Sequence, residues 1–281
     1  MTRDKLFQII RKKSSFLSIG LDTDISKIPS HLLKLDDPVF EFNKQIIDAT
    51  HDLALAYKPN IAFYESRGPK GWESLARTMD YLSPLRKDLF LIADAKRGDI
   101  GNTSKQYART FFEPEAAGLD FDAITAAPYM GSDSVEPFLE YKDKWTILLG
   151  LTSNKGAYDF QLKRLDREHN NKLLYEEVLE ESKNWADADQ MMYVVGATKA
   201  FRLNNIREIL PDHFLLIPGI GAQGGSMEDV ASYGMNKQCG LIINASRSII
   251  FASDGKDFAK AARKEALRLQ QEMKRLLEFH L

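Results

Sequence analysis

Eight short apolar runs, each of strand length, recur along the chain with polar, helix-patterned sequence between them. They are Phe16–Leu21, Ala56–Phe63, Leu89–Ala95, Phe121–Ala126, Thr146–Leu151, Met191–Gly196, Phe214–Pro218 and Leu241–Asn244. Rich in Ile, Val, Leu and Phe, they are near-continuous rather than alternating, as strands covered on both faces are. The intervening segments Pro38–Asp52, Gly71–Leu85, Thr103–Ala117, Asp133–Tyr141, Asn171–Ala186, Thr198–Leu210 and Gly225–Tyr233 read as amphipathic helices, and a long helix over Lys256–Phe279 closes the chain. In the first, Pro38 suits an opening helical turn, and Val39, Phe42, Ile46 and Leu53 fall near one face. Strand and helix alternating eight times predicts an α/β fold, a (β/α)8 barrel of parallel strands. A doubly wound sheet would carry a glycine-rich fingerprint after its first strand, and Ser18-Ile19-Gly20-Leu21-Asp22 does not. Nothing resembling a linker divides residues 1–281, so one domain is expected.

Charge and composition narrow the partners. Lys plus Arg number 38 against 40 Asp plus Glu, a formal charge of −2, which argues against a nucleic-acid surface. With 44% hydrophobic and 28% charged residues the chain is not disordered. Cys239, the single cysteine, allows neither an internal disulfide nor a cysteine metal site and fits a reducing cytoplasm. Leu6–Ile10 is too short and too charge-flanked for a signal peptide, and no apolar run reaches the roughly 18 residues of a membrane span. His31, His51, His169, His213 and His280 are scattered; each is expected at the surface or as a cap, so no metal site is expected.

Barrel chemistry sits at the C-terminal ends of the strands. The third run ends Asp94-Ala95-Lys96-Arg97-Gly98-Asp99. Asp94 and Lys96 share one strand face, and Asp99 follows a glycine that permits a sharp turn. Charges directly after an apolar strand are costly unless paired or used. An ion-pair network closing the barrel top and a catalytic cluster both satisfy that requirement. Asp22 ends the first run, and Lys58 lies inside the second, either snorkelling to the surface or facing a partner. Pro218-Gly219-Ile220-Gly221-Ala222-Gln223-Gly224-Gly225 and Ser246-Arg247-Ser248 follow the last two runs. Glycines that expose backbone N–H groups, beside an arginine fork, suit a phosphate. Thr152 and Ser153 end the fifth run with hydroxyls that suit the polar edge of a ring, and Asn154–Asn170 after them is either a solvated loop or a lid.

The stretch Asp94–Thr103, DAKRGDIGNT, together with Leu21-Asp22, Lys58-Pro59-Asn60, Leu151-Thr152-Ser153, the glycine-rich segment and Ser246-Arg247-Ser248 in this order, resembles the orotidine 5′-monophosphate decarboxylases, in a longer bacterial-type subgroup. The resemblance implies a cofactor-free carboxy-lyase making uridine 5′-monophosphate in pyrimidine biosynthesis. It implies that Lys96 protonates C6, that Asp94 sits beside the substrate carboxylate, and that Asp99 enters the neighbouring subunit's site in a homodimer. Asp22 and Lys58 would bind ribose hydroxyls, Lys58 completing the charge network, with Thr103 assisting across the interface. Ser153 would contact the pyrimidine; Pro218, Gln223, Ser246 and Arg247 would hold the phosphate. Ser246 departs from the glycine many relatives have there. No fused second catalytic domain is expected, and neither nucleic acid nor membrane is an expected partner. Related hexulose-phosphate synthases share the D-x-K-x-x-D pattern but hold magnesium partly through an acidic residue on the second strand, where this chain has Lys58. A phosphometabolite-binding barrel without activity would be expected to have lost one of the three charges.

Overall fold

The computed structural model describes residues 1–166, 171–220 and 225–281. Eight parallel strands close in chain order into a barrel: β1 (Leu17–Leu21), β2 (Ala56–Pro59), β3 (Phe90–Arg97), β4 (Ala123–Ala126), β5 (Trp145–Leu151), β6 (Met191–Val195), β7 (Leu215–Pro218) and β8 (Leu241–Ala245). Closure comes from β8 pairing with β1, Leu17 opposite Ile243 and Ser18 opposite Asn244. This is the expected (β/α)8 barrel. Every residue of β1, β6 and β8 is buried, because one face fills the barrel and the other meets the helices.

Most element boundaries differ from expectation by a few residues, and two of the shifts fall at prolines. The strand expected over Ala56–Phe63 stops at Pro59, which lacks an N–H, and a short helix over Ile61–Glu65 follows. The helix expected over Thr103–Ala117 runs from Gly101 to Phe112 and breaks at Glu113, whose extended backbone is what a following proline favours.

A further helix, Arg3–Lys13, was not expected. Thr2 caps it, and Leu6, Ile9 and Ile10 are buried. It reaches the segments that enter β2, β5 and β8: Lys13 Nζ donates to the carbonyls of His51 and Ala54 at 2.8 and 2.7 Å, Met1 N to that of Asp143 at 3.1 Å, and Arg3 Nε to Gln238 at 2.5 Å. It therefore covers the N-terminal mouth of the barrel, and the opposite mouth stays open. The closing helix, Phe258–His280, lies against the helix Pro38–Thr50, with Phe258 stacked on Phe42 at 5.0 Å and Arg263 forked onto Asp52 at 2.7 and 2.8 Å.

Among the described histidines, one departs from the surface-or-cap expectation; His169 lies outside the described residues. His213 is buried at the entry to β7, neither ring nitrogen has a hydrogen-bond partner, and its ring meets Tyr193 edge-on at 5.4 Å. Burial, followed by the neighbouring Arg207, pushes its pKa down to about 4. The neutral ring is packed there as an aromatic, which a count of histidines does not reveal.

Candidate active site

At the open mouth the strand ends surround a cavity of about 330 Å³. Asp22, Lys58, Asp94, Lys96, Ser153, Pro218, Ser246 and Arg247 all line it, drawn together from β1, β2, β3, β5, β7 and β8. Lys58 does not snorkel: it is 3% exposed. Its Nζ donates to Asp94 Oδ2 at 2.6 Å and lies 3.8 Å from Asp22 Oδ1. Lys96 Nζ donates to the other Asp94 oxygen, which also accepts from Thr125 Oγ1 at 3.2 Å. The order across the cavity floor is Asp22, Lys58, Asp94, Lys96, with the sign of charge alternating.

That alternation makes burial of the charges tolerable. Burial alone would raise the Asp94 carboxyl, but Lys58 and then Lys96 outweigh it and hold the group well below the usual carboxylate range. Burial likewise works against the Lys58 ammonium, and Asp94 and Asp22 overcome it, leaving the pKa raised. Asp22 Oδ1 is buried and accepts no hydrogen bond. An unfilled acceptor at a cavity wall is suited to a ligand hydroxyl.

The backbone aims Lys96. Its φ of 48° lies in the left-handed region, and the β3–β4 register slips between Ala93 and Arg97. Lys96 N donates to Thr125 Oγ1 at 2.9 Å, and Ala127 N to Arg97 O at 2.8 Å, so β4 fixes the bulge on both sides. Arg97 points away from the cavity. It pairs with Glu65 and lies over the Tyr107 ring at 5.3 Å, pinning the strand end to two helices.

Asp99 and Thr103 do not line the cavity of this chain. Asp99 is half-buried, and Thr103 is exposed on the helix Gly101–Phe112. The exposed apolar side chains of Ile100, Tyr129 and Met130 stand on this same loop and on the next, after β4.

On the far side two glycines lie unusually close to neighbouring residues. A Cβ on Gly20 would lie 1.9 Å from Ser246 Oγ, and one on Gly196 would lie 2.7 Å from the backbone nitrogen of Ser153. Both positions need glycine for proximity rather than for unusual dihedrals. Arg247 is exposed; its carbonyl accepts from Phe251 N at 3.2 Å, but its guanidinium makes no hydrogen bond or ion pair with a described residue. Gln223 lies outside the described residues. Among the described residues, no group of three or more His, Cys, Asp or Glu side chains is arranged to hold a metal ion, and no helix is long and apolar enough to cross a membrane.

Among the described lining residues, two polar strand residues were missed by the sequence reading. Thr125 in β4 and Asn244 in β8 both line the cavity. The available signal was a hydrogen-bonding side chain inside an otherwise apolar barrel strand.

Residues 16–262 match one family model. The chain belongs to the orotidine 5′-phosphate decarboxylase / HUMPS family. Orotidine 5′-phosphate decarboxylases of Phocaeicola vulgatus and Christiangramia forsetii are 57% and 58% identical to it, each alignment covering 99% of both chains. The solved structure of Leishmania donovani OMP decarboxylase is 35% identical and superposes with a TM-score of 0.81 over 98% of this chain and 99% of that one. A Plasmodium yoelii structure described as a putative orotidine-monophosphate-decarboxylase superposes at 0.82 with 25% identity, covering 98% of this chain and 99% of its own. The orotidine 5′-phosphate decarboxylase / HUMPS match thus runs through all eight strands and every residue of the cavity wall.

Proposed function

We propose that this chain decarboxylates orotidine 5′-monophosphate to uridine 5′-monophosphate. The observation that carries the reading is the alternating Asp22, Lys58, Asp94, Lys96 array at one end of the cavity, with Arg247 in the cavity wall on β8's side. A nucleotide with a carboxylate on its ring and a phosphate on its ribose needs such a two-ended site.

The reaction leaves an electron pair at C6 of a ring that offers no electron sink there. In this reading Lys96 stabilises that charge and then protonates the carbon. An ammonium about 4 Å from a developing carbanion is worth roughly 4 kcal/mol at an effective dielectric of 20. Asp94 sits beside the substrate carboxylate, so their repulsion disappears as carbon dioxide departs. Lys58 keeps Asp94 ionised. With Asp22 it takes the ribose hydroxyls, and the unfilled Asp22 Oδ1 supports that assignment. Ser153 contacts the pyrimidine; Pro218, Gln223, Ser246 and Arg247 hold the phosphate. Phosphate binding far from C6 then contributes to the transition state if it closes the site.

We assign Asp99 and Thr103 to the site of a second subunit, making the working unit a homodimer. Their absence from the cavity lining of their own chain, with exposed Ile100 in the same loop and exposed Tyr129 and Met130 in the next, supports this. One domain, no metal and a cytoplasmic location belong to the same reading. A hexulose-phosphate synthase is disfavoured by Lys58, whose buried ammonium occupies the position where that chemistry needs an acidic magnesium ligand.

The test is the ultraviolet absorbance of orotidine 5′-monophosphate with the purified protein in EDTA. Conversion to uridine 5′-monophosphate supports the reading. No conversion by folded protein, with turnover of a sugar phosphate once magnesium is restored, replaces it.

A further inference from the structure

Asn244 occupies an unlikely place for an amide: it lies in β8 between Ile243 and Ala245, 7% exposed, on the cavity wall. A barrel strand fills such positions with aliphatic side chains at no polar cost, whereas a buried amide must find partners. It finds them on both sides. Ser18 Oγ, in β1, donates to Asn244 Oδ1 at 3.2 Å, and Asn244 Nδ2 donates to Ser246 Oγ at 3.2 Å. Gly20 confines the same Ser246 oxygen, since any side chain there would occupy its place. The Ser246 carbonyl in turn accepts from the N–H groups of Ile249 and Ile250 at 2.9 and 3.0 Å. Ser246 is therefore held by its side chain on the barrel side and by its carbonyl on the other, and Arg247 is the next residue.

We propose that Asn244 is a positioning residue for the phosphate end of the site. Through Ser246 it fixes the turn that carries Arg247, so that the backbone from which the guanidinium reaches is set before the ligand arrives. A group held in place beforehand loses less freedom on binding, and the benefit appears as affinity. The inference rests on the reading that Arg247 binds the phosphate of orotidine 5′-monophosphate.

The experiment measures kcat and KM for orotidine 5′-monophosphate in wild type, Asn244→Ala, Ser246→Gly and the double variant, alongside thermal midpoints. Asn244→Ala is expected to raise KM about tenfold and to lower kcat less than about threefold. On orotidine, which has no phosphate, kcat/KM is expected to fall by a much smaller factor than on the nucleotide. The double variant is expected to be no worse than the poorer single variant, because both lesions break one relay. Multiplicative losses, equal losses on both substrates, a loss confined to kcat, or an unchanged KM would overturn the proposal. Should Asn244→Ala fail to fold, Ser18→Ala removes only the outer donor; a KM raised about threefold supports the relay, and an unchanged KM overturns it. A wild-type protein inert toward orotidine 5′-monophosphate would overturn the functional reading and this proposal with it, and that result needs no variant.

Discussion

The Lys58 ammonium lies 2.6 Å from one oxygen of the Asp94 carboxylate, with both side chains almost wholly withdrawn from solvent. Neither charge is tolerable there alone. Lys58→Met should therefore destabilise the fold by about 3 kcal/mol at pH 7 and reduce turnover about a thousandfold or more, read by urea unfolding and by initial rates. The signs set the pH window. Asp94 is lowered, so its contribution is complete above its unfolded value near 4 and fades as pH falls below it. Lys58 is raised, so its contribution is complete below about 10.4 and fades only as pH rises through its higher folded value. The stability deficit of Lys58→Met should hence be flat across neutral pH.

His213 gives a second pH dependence with a different origin. Its folded pKa of about 4 lies below the unfolded value, so the buried neutral ring stabilises nothing extra above about 6.5, and stability is lost as pH falls from there toward 4. His213→Leu should lack that component. Between pH 7 and 4.5 the wild type should lose roughly 2–3 kcal/mol more than the variant. Parallel stability curves for the two proteins would refute the assignment.

Lys96→Ala should abolish detectable turnover while circular dichroism and binding of uridine 5′-monophosphate persist. Lys96 is about half exposed and its loss leaves Asp94 paired with Lys58, so the fold does not depend on it. Near-normal rates would rule out Lys96 as the proton donor.

Mixing Lys96→Ala with Asp99→Ala, each inactive alone, should restore about a quarter of wild-type activity after subunit exchange, since a hybrid dimer contains one site free of both lesions. Verified exchange without recovery would mean that Asp99 serves its own chain.

Gly20→Ala should be severe for so small a change. The added methyl would sit 1.9 Å from Ser246 Oγ and 2.9 Å from Ser246 Cβ, so the hydroxyl must rotate out of its hydrogen bond with Asn244 and the residue must give slightly. A KM for the nucleotide raised about tenfold or more, together with a stability loss of about 1–3 kcal/mol, is the expected pairing. A variant with unchanged KM would show that the turn has room to move.

What was readable in the sequence follows physical cost. Lys58, Asp94 and Lys96 stood out because ionised groups in apolar strands demand an explanation. Thr125 and Asn244 did not, because a threonine is an ordinary strand residue and a lone asparagine at the end of an apolar run reads as the start of a loop. The helix Arg3–Lys13 was hidden by the charges at both of its ends, which obscured the three apolar residues that anchor it. Asp99 and Thr103 are a different case. Their motif was legible, yet one chain does not bring them to its own cavity. Two of the boundaries that moved, a strand end at Pro59 and a helix end before Pro114, did so where a missing N–H or a steric constraint outweighs hydrophobic pattern.

The charges of the cavity wall are arranged in space as well as balanced. Asp22, Lys58, Asp94 and Lys96 cancel one another, and among the described lining residues Arg247 alone is left with uncompensated charge. In the proposed reading, the phosphate end of an approaching nucleotide would meet this one uncompensated cation, and the carboxylate end would meet paired charges. The phosphate would then be steered in first, and the ring would follow with its carboxylate facing the neutral array. Added salt would blunt this steering and slow entry, while the tightly paired charges beneath, shielded from the ions, would go on doing the chemistry unchanged.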